Sequence, residues 1–130
     1  MSLQQLLFEP TLVRSPLRIV AWWERRRLAF NVAVGVTGLV TLAWGSVLNW
    51  LVFGGHAGPP PMLIVAYGIA ANVCYTSGWM IEMIVERWLE RPVYGLGPAL
   101  FRHGMVFSVG LTALPAVLMT FGAIGALLFR

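Results

Sequence analysis

The side chains available for chemistry are of few kinds: five glutamates, nine arginines, two histidines and one cysteine, with no aspartate and no lysine. Three of the glutamates, Glu82, Glu86 and Glu90, recur every fourth residue. On a helix that spacing puts them along one face, where like charges repel by about 0.2–0.5 kcal/mol per pair. Glu82 falls about one turn inside an apolar stretch, where an ionised carboxylate is costly without a partner. Two chemistries suit such a residue. It could bind a proton or cation as a desolvated carboxylate, or pair with a cation and tie two helices together. Asn72, Tyr75, Thr76 and Ser77 are the other polar groups on this segment. They do not continue to its far end, so a proton path would stop halfway. Pairing is the preferred reading, with Arg25, Arg26, Arg27 or Arg102 as partners.

Other reactive constellations do not assemble. His56 and His103 lie in segments about a bilayer apart, so they cannot face each other across one haem iron. His103 alone, just ahead of Gly104, is a candidate single axial ligand to a haem or chlorophyll-type pigment. Hydrolysis needs a nucleophile, a base and an orienting acid within hydrogen-bond reach, and this inventory offers no such set. Cys74 has no second thiol for a disulfide or a thiolate zinc site. Gly95-Leu96-Gly97 is followed by proline, with no lysine to complete a phosphate loop. The expectation is a protein that is not an enzyme and holds no metal.

The elements that position these residues follow from composition. Of the 130 residues 58% are hydrophobic and 11% charged, with mean hydropathy +0.78. Soluble domains run at about 25% charged, so this surface is not made for water. Net charge is only +4, which gives no support to nucleic-acid binding. Three apolar runs, 28–53, 61–85 and 104–129, are each long enough for the roughly 30 Å hydrocarbon core. Backbone in lipid must satisfy its own hydrogen bonds, and ten-residue alternating strands are absent from the pattern, so the runs are helices. The fold expected is an all-α integral membrane domain over residues 1–130, with three transmembrane helices.

Arginines set its direction. Eight lie in residues 1–27 and in the segment between the second and third runs, against Arg130 alone on the other side. Positive charge stays cytoplasmic, which puts the N-terminus inside and the C-terminus in the periplasm. Residues 1–27 read as a cytoplasmic and interfacial segment with a short amphipathic helix started by Ser15-Pro16. Its Trp22 and Trp23 suit the headgroup zone, and its arginines attract anionic lipids. Charges and prolines among the first twenty residues argue against a cleaved signal peptide. Arg26-Arg27 reads as a cytoplasmic stop, not a twin-arginine signal.

Within the spans, Gly35, Gly38 and Gly45 on the first helix and Gly104, Ser108 and Thr112 on the third recur at helical spacing. Small residues so placed let helix backbones approach closely. Trp44, Trp79, Tyr67 and Tyr75 are aromatics at bilayer depth. Pro115 interrupts the hydrogen bonding of the third helix.

The stretch Trp23-Glu-Arg-Arg-Arg-Leu-Ala-Phe-Asn-Val-Ala-Val-Gly35-Val-Thr-Gly38 resembles a group of small, uncharacterised bacterial membrane proteins. They share an E-R-R-R-L-x-[YF]-N junction ahead of an apolar helix with V-G-x-x-G. The resemblance implies a bacterial inner membrane and brings no activity with it. The function expected is a non-catalytic accessory subunit of a larger membrane complex, photosynthetic or respiratory in type. Its partners would be other membrane subunits and anionic lipids, with pigment or lipid contact as the cofactor alternative. The competing expectation is a small homo-oligomeric transporter or channel built on Glu82.

Overall fold

The computed structural model describes residues 15–55 and 58–129, and these form three helices in an up–down–up order. Helix α1 spans Pro16–Phe53, α2 spans Pro61–Leu89 and α3 spans Leu96–Leu128. At 1.5 Å per residue they are roughly 57, 44 and 50 Å long. Each is long and apolar enough to cross a membrane.

Local chemistry accounts for the ends. The Ser15 hydroxyl accepts from the Arg18 N–H at 3.4 Å, with Pro16 in the first turn. At the other end of α1, Gly54 takes the left-handed conformation at φ 65°, and the Gly55 N–H closes onto the Asn49 carbonyl at 3.1 Å. Helix α2 starts at a proline and ends at Glu90, itself left-handed at φ 50°.

Two boundaries differ from the sequence expectation. Residues 16–27 are not a separate interfacial helix but the first turns of α1, which runs unbroken through Arg27. Nothing between Ser15 and Gly54 breaks a helix, and hydropathy marks the oily part of a helix without marking its ends. Similarly, α3 begins at Leu96 and not at 104. Gly97 and Pro98 read as breakers, but the N–H groups of a first turn have no intrahelical acceptor, so proline is tolerated there. Residues 1–14, His56 and Arg130 lie outside the described residues.

Helices α1 and α3 pack along much of their length. A Cβ on Gly38 would meet Thr112 Cγ2 at 3.6 Å, and one on Gly45 would meet Met119 Sδ at 3.1 Å. Thr41 Oγ1 donates to the Thr112 carbonyl at 3.0 Å and Trp44 Nε1 to Thr120 Oγ1 at 2.8 Å. Helix α2 leans on this pair. It joins the core at Tyr75 and Glu82 and is tied nearer its start by Tyr67, whose hydroxyl lies 2.5 Å from Thr112 Oγ1. The main core sits at the arginine-rich end: Ile19, Trp22, Trp23, Phe30 and Val34 of α1 with Tyr75 and Phe101. Outward faces are apolar, with Leu39, Met62, Ile69 and Phe121 all more than 60% exposed. An apolar outer surface is what hydrocarbon favours.

Candidate functional site

The sequence places Trp22, Trp23, Arg26 and Arg27 within two turns of α1, and Tyr75, Gly78 and Glu82 at i, i+3 and i+7 on α2. Each set shares a helix face, and the two faces meet. The Glu82 carboxylate is 3% exposed and accepts from Trp23 Nε1 at 2.7 Å. The Tyr75 hydroxyl donates to the Trp23 carbonyl. Trp23 reaches Glu82 because Gly78 has no side chain: a Cβ there would stand 2.5 Å from the indole. Gly97 opens the other side, since its Cβ would stand 2.6 Å from both Glu82 carboxylate oxygens. One helix from each direction closes on one carboxylate.

Rings fill the remaining space. Trp22, Trp23, Tyr75 and Phe101 meet edge to face with centroids 5.4–6.4 Å apart, the geometry that aromatic quadrupoles prefer. Arg26 is 6% exposed, stacks at 3.7 Å over the Trp22 ring and donates to the Trp22 carbonyl at 2.9 Å. A guanidinium over an indole face is favourable when desolvated. Arg27 takes a different route. It grips Glu24, one turn back, through two hydrogen bonds of 2.7 and 2.8 Å. It also reaches across to Asn72 Oδ1 at 3.3 Å and Thr76 Oγ1 at 3.1 Å on α2.

Helices α1 and α2 are joined by contacts that sequence spacing did not single out: an indole N–H on Glu82, and Arg27 on an amide and a hydroxyl. Glu86 accepts from the Val93 N–H at 3.1 Å and so holds the α2–α3 connection. Glu90 forms the left-handed cap and is exposed, as are Arg25 and Arg102. The glutamate face thus has three uses, one per residue.

Sequence reasoning missed Gly78 and Gly97. The signal for Gly78 was its position between Tyr75 and Glu82 on the same face. Gly97 gave none, because its role depends on the approach of another helix. Of the six small residues expected at helix contacts, Gly38, Gly45 and Thr112 line the α1–α3 seam, and the Ser108 carbonyl accepts from Thr112 Oγ1 at 2.6 Å. Gly35 and Gly104 have nothing within 4 Å of a would-be Cβ and border open grooves.

His103 lies two turns inside α3, not at a helix start, and is exposed. Its Nδ1 is 2.8 Å from the Ala99 carbonyl. In the tautomer that donates from Nδ1, Nε2 carries the lone pair a metal would need. Among the described residues no three metal-ligating side chains come together.

No protein-family model, no curated protein and no solved structure matches this chain. The functional reading rests on the geometry.

Two features of that geometry leave a polar group without a hydrogen-bond partner among the described residues. A groove of about 330 Å³ runs between α1 and α2, lined by Gly35, Gly38 and Gly68 among apolar residues, with Asn31 at its border. Asn31 is exposed, and its amide has no hydrogen-bond partner among the described residues. Trp79 packs against the aromatic core, and its indole N–H is shielded without an acceptor among the described residues.

Proposed function

We propose that this chain is a non-catalytic accessory subunit of a larger membrane complex, of photosynthetic or respiratory type in a bacterial inner membrane. The N-terminus and the Glu90–Gly95 connection are assigned to the cytoplasmic side, and the C-terminus to the periplasm.

The observation that carries this reading is Asn31. Its carboxamide is turned to the surroundings beside a groove whose glycines leave room for a close helix, and it lacks a partner among the described residues. In lipid an unmade amide hydrogen bond is costly, and small residues next to a polar one are how transmembrane helices recognise each other. A partner helix laid along Gly35 and Gly38 would supply the missing hydrogen bond. Glu82 argues against the alternative, a small homo-oligomeric transporter or channel. Its carboxylate is enclosed by Trp23 and Gly97, and Asn72, Thr76 and Ser77 each donate to a backbone carbonyl of their own helix.

The test is purification from native membranes in mild detergent, with native mass and absorption read on the same peak. A heteromeric complex that loses this chain on Asn31→Leu is the expected result. A colourless particle at a small multiple of 14.3 kDa, unchanged by that substitution, would sink the reading.

A further inference from the structure

At the arginine-rich end a second and larger groove, of about 850 Å³, lies between the start of α1 and the end of α2. Its character changes with depth. The part farther from the α2–α3 connection is apolar, formed by the exposed Met80 and Ile84 and the half-buried Met83, with Ile19 as the facing wall. Past the apolar stretch come Glu86, which holds the Val93 N–H, and then three further charges: Arg87 in the last turn of α2, Glu90 at its cap and Arg91 just beyond. All three are exposed, and none has an ion-pair or hydrogen-bond partner among the described residues. Helix α2 rises 1.5 Å per residue, so the groove is an apolar channel several ångströms long with charges at one end only.

That pattern is the pattern of a phospholipid standing in the leaflet on this side of the membrane: acyl chain on the methionines, headgroup at the charged mouth. The mouth also says which headgroup. Arg87 and Arg91 share it with the carboxylates of Glu86 and Glu90, so a headgroup with a phosphate and a hydrogen-bonding ammonium matches both signs. A purely anionic headgroup would satisfy Arg87 and Arg91 but would set its charge against Glu90. We propose that this groove is a binding site for a phospholipid with a primary ammonium headgroup, phosphatidylethanolamine in type. Arg87 and Arg91 take the phosphate and Glu90 takes the ammonium. The site belongs to this chain alone and does not depend on the subunit reading.

The test uses the full chain in detergent with an equimolar mixture of phosphatidylethanolamine, phosphatidylcholine and phosphatidylglycerol of identical acyl chains, with retained lipids counted by native mass spectrometry. One phosphatidylethanolamine per chain is expected, favoured over each competitor about fivefold, the worth of one charge near a membrane surface. Glu90→Gln should level phosphatidylethanolamine with phosphatidylcholine, whose quaternary ammonium has no N–H, while total retention persists. Arg87→Gln with Arg91→Gln should lower retention of all three lipids. Arg102→Gln, on the same side but outside the groove, should change nothing, and helical circular dichroism should be the same in all variants. Preferred retention of phosphatidylglycerol, equal retention of all three, or a preference untouched by Glu90→Gln would each overturn the proposal. So would retention of none, which would give the groove to a protein segment.

Discussion

Trp23 is buried and Trp79 half-buried against the same core, and their indole N–H groups have opposite circumstances. Trp23 donates to the enclosed carboxylate of Glu82, so removing the donor leaves a buried acceptor short of a partner, at a cost of about 1–3 kcal/mol. Trp79 has a shielded N–H with no acceptor among the described residues, and removing it takes away an unmet donor. Thermal melts in detergent should therefore separate the two substitutions. Trp23→Phe should lower Tm by several degrees, while Trp79→Phe should be neutral or raise it. Equal losses would mean that ring volume, and not the hydrogen bond, sets the value of Trp23. Arg26 shows the same logic in a charge. Buried cations survive when paired or stacked, and this one lies over Trp22 and holds a carbonyl of its own helix.

At the scale of elements the bundle is unequal. Helices α1 and α3 meet along a seam of small side chains, whereas α2 is fastened at the arginine-rich end and again at Tyr67. The end fastening is strong in kind, combining a charge-assisted hydrogen bond, a tyrosine hydroxyl on a carbonyl and the two reaches of Arg27. The Tyr67 tie rests on one hydroxyl, 2.5 Å from Thr112 Oγ1 and 3.5 Å from the Ser108 carbonyl. Tyr67→Phe should free the first half of α2 without loosening the rest. Hydrogen exchange should rise severalfold in 61–70 and stay unchanged in α1 and α3. A uniform rise across all three helices would show instead that the bundle opens as one unit. The length of α1 has a consequence too. At roughly 57 Å it exceeds the hydrocarbon core by several turns, and the surplus is where Trp22, Trp23 and Arg26 build the site.

For the whole molecule, three successive crossings would put the start of α1 and the end of α3 on opposite sides, with the α2–α3 connection on the side of the start of α1. In the proposed topology the arginine bias gives that side to the cytoplasm. Reporter fusions check it: a periplasm-active phosphatase should work at residue 130 and fail at residue 95, with a cytoplasm-active fluorescent reporter giving the reverse. Signals of the opposite sense would invert the assignment and move the phospholipid groove to the outer leaflet. Helix number and apolar character were legible in the residues alone, because hydrocarbon forces long apolar runs into helices whatever their neighbours. So were the Ser15-Pro16 start and the need for Glu82 to find a partner, since both follow from local chemistry and the cost of desolvation. The unbroken run of α1 through Arg27 was not legible, because polarity marks a membrane boundary and a helix has no reason to stop there. Nor were the partners of Glu82 and Arg27. Glutamate and arginine suggested each other by charge, but which group reaches a buried carboxylate depends on crossing distance. That distance is set by Gly78 and Gly97, two residues with no side chain to announce their role. The sequence by itself determined what must lie in lipid and what must be shielded from it; only the packing of three helices decided which atoms do the shielding.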